Sequence, residues 1–288
     1  MDWNRDLAYW PNAEASRRLR HGPHHWHIQE FGAASAPQIL ALHGAGASTH
    51  SWRGVIPLLS AYRVIAIDLP GHGFTRLGSR RRSSLGAMRD DIAALISAEG
   101  WVPRVILAHS AGAAIALELS RTLPSAPRVI TVNAALSRFP GVAGWLFPVI
   151  AKTLALNPFV PALFTMGANP EARAERILSS TGSEIDAMTR ALYARLISDR
   201  DHVDGALQMM AQWDVEPLLG ALGDIDARCL LIAGEQDGAV APEASLRAAE
   251  ALPNGTAITL DGLGHLAHEE DPGRVMDVMQ PFLEEVAS

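Results

Sequence analysis

Six short apolar runs, each bounded by turn-forming residues, constrain this chain more than any other feature. They span residues 38–42, 63–68, 104–108, 128–133, 229–233 and 256–260. Val, Ile, Leu and Ala follow one another in them without a polar residue at every second place. A strand with one wet face alternates, whereas a strand covered on both faces reads as a continuous apolar run. The runs are therefore expected to form a mostly parallel sheet with helices on both sides. Residues 24–32, HHWHIQEFG, alternate better and are expected as an antiparallel edge strand.

Helical periodicity fills the gaps. Apolar residues recur at three and four over 85–98, and similar patterns cover 111–121, 242–251 and the stretch from Pro272. Strands alternating with helices indicate a doubly wound α/β sheet. The rhythm stops between Leu136 and Trp213, where only helical patterns are found. The expected organisation is a core of residues 1–135 and 214–288, with a helical cap of residues 136–213 inserted after the sixth strand. Such a cap would cover the C-terminal strand ends, where open α/β sheets bind ligands.

Within that insertion, residues 139–168 carry one charge, Lys152. The length suffices for a membrane span. Pro140, Pro148, Pro158 and Pro161 divide it into pieces too short for one, and lipid offers no partner to the freed backbone groups. Short helices lining a pocket are the expectation, and peripheral contact with a membrane is the less favoured reading. Composition closes other routes. Of 288 residues 48% are hydrophobic, enough for a large core, and the net charge of −7 argues against nucleic acid as a partner. The single cysteine, Cys229, lies in an apolar run and is expected to be an inert buried thiol. The N-terminus lacks an apolar stretch of signal-peptide length, so a cytoplasmic location is expected.

Chemistry concentrates at the run ends. Ser110 stands between the run 104–108 and a helix, flanked at two residues' distance by Ala108 and Gly112. A sharp strand-to-helix turn of this kind lifts a serine hydroxyl out of the sheet and needs small neighbours. It leaves the N–H of Ala111 at a helix N-terminus, where it can stabilise an oxyanion. His43-Gly44-Ala45-Gly46 ends an earlier run, and the Ala45 N–H is the expected second oxyanion donor. Past the run 229–233 come Glu235 and Asp237. Asp237 is the preferred acid and Glu235 its competitor. His265, in a glycine-flanked loop after the last run, is the expected base. His72 and His109 are read as packing residues. His21, His24, His25 and His27 alternate along a strand, which argues against a metal site there. No cofactor or metal is expected.

HGAGASTHSW, DLPGHGFT, AHSAGA, GEQDGAV and GLGHLAHEE together resemble the α/β-hydrolase superfamily over essentially the whole chain. The order Ser110, Asp237, His265 is that superfamily's order. The resemblance implies an α/β-hydrolase fold and a serine hydrolase. MDWNRDLAYWPNAEASR, LALNPFVPALF, STGSEIDAMTRALYARL and HVDGALQMMAQWD resemble more narrowly the magnesium-chelatase accessory proteins of bacteriochlorophyll biosynthesis. That likeness implies a role near insertion of Mg²⁺ into protoporphyrin, a tetrapyrrole ligand (protoporphyrin or its Mg complex) and contact with magnesium chelatase. Trp145, Phe147, Met209, Met210 and Trp213 are the candidate lining residues for an apolar ligand, with helix packing as the competing role for each. Three functions stay open. One is a serine hydrolase of an ester or related acyl bond in an apolar substrate, with a tetrapyrrole among the candidates. Another is a non-catalytic porphyrin-binding accessory protein. The third is a generic carboxylesterase, C–C hydrolase or perhydrolase.

Overall fold

The structure, a computed structural model of the chain, describes residues 1–137 and 169–287. Eight strands form one sheet in the order β1-β2-β4-β3-β5-β6-β7-β8. β1 (Ser16–His21) and β2 (His24–Phe31) are an antiparallel hairpin, and β2 also runs antiparallel to β4 (Arg63–Ile67). β3 (Gln38–Leu42), β4, β5 (Pro103–His109), β6 (Arg128–Val132), β7 (Cys229–Gly234) and β8 (Gly255–Leu260) are parallel. The doubly wound sheet read from the apolar runs is present.

Both edges differ from expectation. The stretch expected as an edge strand is β2, which is second from the edge; β1 covers it. β1 reads SRRLRH, and its one aliphatic residue offers no period to detect. At the other end β8 is the edge strand, with Ile258 at 36% exposure, although its sequence reads as a run covered on both faces.

The inner strands show why those runs do not alternate. Leu40, Leu42, Ile65 and Ile67 pack with α2 (Leu85–Ala98) and α3 (Ala111–Thr122). Their neighbours Ile39, Ala41, Val64 and Ala66 pack with the 3-10 turns Thr49–Trp52 and Ile56–Leu59 and the C-terminal helix. Successive side chains point to opposite faces, and each face meets an apolar layer. α1 (Trp3–Asp6) is a single turn before β1.

Between β6 and β7 the described residues hold α4 (Pro170–Ser179), α5 (Ala187–Ser198), α6 (Arg200–Gln212) and α7 (Glu216–Gly220), with no strand among them. Asn169, Asp186 and Asp199 cap the first three, accepting from the N–H groups of Ala172, Thr189 and His202. A third apolar cluster joins α4 and α5 to the N-terminal segment and to the loops after β3, β4 and β8. It includes Trp10, Ala47, Phe74, Leu178, Leu192, Leu196 and Leu266. α4 and α5 therefore sit on the C-terminal side of the sheet, and α6 joins them there through His202, hydrogen-bonded to Gly46 and Gly73 in the loops after β3 and β4. The apolar stretch 139–168 lies outside the described residues. After β7 come α8 (Glu243–Ala251), the short α9 (Ala267–Glu270) and α10 (Pro272–Ala287). Among the described residues no helix is long and apolar enough to cross a membrane.

Candidate active site

β5 ends at His109, and α3 begins at Ala111. Ser110 between them has φ 51° and ψ −117°, a conformation costly for a side-chain-bearing residue. The surroundings over-determine it. Ser110 N–H donates to Val132 O at 3.0 Å, and Ser110 O accepts from Ala113 and Ala135 N–H at 3.1 Å. Gly112 is required by contact: a Cβ there would lie 2.6 Å from Leu42 O and 2.7 Å from His43 O. Ala108, where a smaller residue would serve as well, is fully buried with its methyl accommodated.

Three loops converge on this serine. His265 Nε2 lies 3.0 Å from Ser110 Oγ, and His265 Nδ1 lies 2.7 Å from Asp237 Oδ2. Asp237 is held by its other oxygen, which accepts from Ala239 and Val240 N–H at 2.8 Å each. With the carboxylate ionised, Nδ1 carries the imidazole proton, and Nε2 faces the serine hydroxyl as an acceptor. Glu235 points elsewhere: it is exposed and accepts from Gly262 N–H at 3.0 Å. The geometry thus separates the two carboxylates that the sequence left in competition.

The loop after β3 passes directly beside the serine. A Cβ on Gly44 would lie 2.9 Å from Ser110 Cβ. His43 secures that loop, with Nδ1 donating to Gly44 O at 2.7 Å and Nε2 accepting from Leu69 N–H at 2.9 Å. His202 of α6 secures its far side, accepting from Gly73 N–H at 3.0 Å and donating to Gly46 O at 3.1 Å. Ala45 is exposed in this loop, and Ala111 opens α3, where first-turn N–H groups have no partner within the helix.

Sequence reasoning missed Asn133. This buried residue with φ 50° follows β6. Its Nδ2 donates to Gly264 O at 2.8 Å and His265 O at 2.6 Å, and its Oδ1 accepts from Gly234 N–H at 2.6 Å. One amide therefore ties the end of β7 to the His265 loop. The available signal was a lone amide closing the apolar run RVITV. His109 adds a second donor to His265 O, from Nε2 at 2.9 Å, and burial pushes its basicity well below the usual histidine range.

The apolar candidates fare differently. Met209 is 1% exposed within the cluster around α2 and α3, Trp213 packs against that cluster, and Met210 is half-buried. Trp145 and Phe147 lie outside the described residues. Packing thus accounts for Met209.

A second Ser-His-Asp chain lies near β1. Asp68 Oδ2 is 2.7 Å from His27 Nδ1, and His27 Nε2 is 3.1 Å from Ser16 Oγ. Ser16 has ordinary extended backbone, and no helix N-terminus follows it. The Gln29 amide beside it is committed to Pro11 O, Asn12 O and Ser16 Oγ. Asp68 also accepts from Thr49 and Phe74 N–H. These groups knit the hairpin to the sheet and offer no donor pair for an oxyanion. Among the described residues no group of His, Cys, Asp or Glu has the arrangement of a metal site.

A family model described as the alpha/beta hydrolase fold matches residues 37–272. The chain is 47% identical over 263 residues to the magnesium-chelatase 30 kDa subunit of Rhodobacter capsulatus, covering 91% of this chain and 92% of that one. It is 28% identical over 269 residues to a pimeloyl-[acyl-carrier protein] methyl ester esterase of Xanthomonas oryzae pv. oryzae, covering 90% and 99%. Among solved structures, epoxide hydrolase CorEH superposes with a TM-score of 0.79 at 21% identity, over 94% of this chain and 99% of its own, a likeness of fold.

Proposed function

The chain belongs to the α/β-hydrolase family, and within it to the family of the Rhodobacter magnesium-chelatase 30 kDa subunit; on that premise we propose that it is a serine hydrolase acting near the magnesium-chelatase step of bacteriochlorophyll synthesis. The observation that carries the reading is the hydrogen-bonded chain Asp237–His265–Ser110 on a strained strand-to-helix turn. In this reading Ser110 Oγ attacks the acyl carbon of an ester while its proton passes to His265 Nε2. Asp237 holds the imidazole tautomer and stabilises the imidazolium. The Ala45 and Ala111 N–H groups take the oxyanion. Collapse expels the alcohol, which His265 protonates. Water, deprotonated by His265, then attacks the acyl-enzyme and releases the acid and free Ser110. No cofactor enters these steps.

The substrate class proposed is an apolar ester, with a tetrapyrrole as the favoured case. The relative's association with magnesium chelatase and the aromatic side chains of residues 139–168 support it, with Trp145 and Phe147 proposed to line the ligand alongside Met210 and Trp213. The insertion of residues 136–213 acts as the cap in this scheme. The test is a fluorophosphonate probe followed by peptide mass spectrometry. An adduct on Ser110 is expected. A protein that stays unlabelled while a control esterase reacts overturns the reading.

A second reading rests on the 47% identity to a chelatase subunit: a non-catalytic accessory that holds protoporphyrin or its Mg complex for the chelatase. Complementation separates the two. If a Ser110→Ala gene restores pigment synthesis in a deletion strain as fully as wild type, the accessory role stands and hydrolysis falls. A panel of carboxylic esters, C–C diketones and peroxide assays then assigns the reaction among the hydrolase chemistries.

A further inference from the structure

The turn of residues 180–183, between α4 and α5 of the insertion, meets the loops that carry Asp237 and His265. A single carbonyl, Thr181 O, accepts from two N–H groups at 3.0 Å each: His265, the proposed base, and Gly238, next to Asp237. Ser183 Oγ accepts from Leu266 N–H at 2.8 Å. Glu270 extends the seam, one oxygen taking Glu184 N–H at 3.0 Å and the other Gly264 N–H at 2.8 Å.

The backbones meet so closely that side chains are excluded. Gly182 has φ +75°, and a Cβ on it would lie 1.9 Å from Gln236 O; a Cβ on Gly264 would lie 2.4 Å from Gly182 C. α5, which follows the turn, is anchored to the core. Arg53 binds Asp186 at 2.6 Å and Thr189 Oγ1 at 2.5 Å, and Tyr193 OH donates to Glu269 Oε1 at 2.7 Å.

We propose that the 180–183 turn is a positioning element for the Asp237–His265 pair, so that the insertion assembles the nucleophile's base as well as covering the site. It rests on the reading of Ser110 as a nucleophile activated by His265. The physical reason is geometric. Asp237 and His265 sit on loops that leave different strands, and their 2.7 Å contact survives only if both loops keep their spacing. Thr181 O sets that spacing from one atom. Productive constellations tolerate shifts of about 0.5 Å. Movement of α4 and α5 therefore reaches His265 without passing through the sheet.

The test uses Ser183→Ala and Gly182→Ala in the full chain, with Gly100→Ala as control. Gly100 also has positive φ, +65°, but no atom near its Cβ and no place near Ser110, so it reports backbone strain alone. Three readouts are taken: thermal midpoint, fluorophosphonate labelling rate, and the ring ¹⁵N shifts of His265. Ser183→Ala is expected to slow labelling about 10-fold and to move the His265 ring shifts, with Gly182→Ala approaching about 100-fold. Gly100→Ala lowers the midpoint and leaves the other two at wild-type values. Should Gly182→Ala fail to fold, Ser183→Ala decides alone. Wild-type ring shifts and labelling rates in the folded variants overturn the proposal. Absence of labelling in wild type defeats the hydrolase reading instead, and the ring shifts still decide the positioning role.

Discussion

The Asn133 side chain donates a 2.6 Å hydrogen bond to the backbone carbonyl of His265, and its other atom takes the N–H of Gly234. A residue at the end of β6 thus joins β7 to the loop bearing the proposed base. Replacing it by alanine removes the partner of Gly264 O and of Gly234 N–H, at roughly 1–3 kcal/mol for each group left unpaired, while His265 O keeps the His109 donor. Asn133→Ala is expected to lower stability in urea unfolding and to slow labelling of Ser110. Asn133→Asp keeps the acceptor for Gly234 but loses both donations to residues 264 and 265. Its labelling is expected to fall with that of the alanine variant, since the lost donors hold His265.

Two serines are hydrogen-bonded to histidines that face aspartates, yet only one has a strained turn and a helix N-terminus beside it. Fluorophosphonate is expected to modify Ser110 and leave Ser16 untouched. Ser110→Ala abolishes labelling. Ser16→Ala labels at the wild-type rate and costs about 1 kcal/mol of stability. An adduct on Ser16 contradicts this.

Glu269 is buried against Tyr193 and His268, and burial raises its carboxyl to about 8 from its ordinary value of 4.5. The unfolded chain ionises this group near 4.5 and the folded chain near 8. Folding therefore takes up a proton between those values, and the contribution to stability falls as pH rises through that window. Glu269→Gln keeps an acceptor for the Tyr193 hydroxyl and removes the ionisation. Its melting temperature relative to wild type is expected to rise steadily from pH 5 to pH 8. A difference that stays flat over that range refutes the assignment.

Gly112 faces two backbone carbonyls across a gap with no room for a side chain. Gly112→Val forces β3 and α3 apart, at a cost of about 1–3 kcal/mol. Because the same displacement moves Ala45 and Ala111 relative to Ser110, labelling is expected to be lost even where circular dichroism shows a folded protein.

Much of the architecture was legible in residue order. Six runs lacking alternation located the parallel strands, because a strand between two apolar layers carries that pattern in its own residues. Ser110 stood out because its neighbours Ala108 and Gly112 suit a tight turn. β1 escaped notice because an edge strand with three arginines buries too little to carry a period. β8 read as an inner strand because its apolar content matches one, although its position leaves a face exposed.

The sequence by itself determined the sheet, the strand-to-helix junction that strains Ser110, and the chain order of serine, acid and histidine. These follow from local propensity and apolar patterning, which each segment carries alone. The tertiary structure decided which carboxylate meets His265, which of two Ser-His-Asp chains sits on a strained turn at a helix N-terminus, and what holds the histidine loop. Those choices depend on contacts such as Thr181 O to His265 N–H, and a backbone carbonyl leaves no mark in residue identity. Long-range hydrogen bonding through the main chain appears only when the segments are brought together.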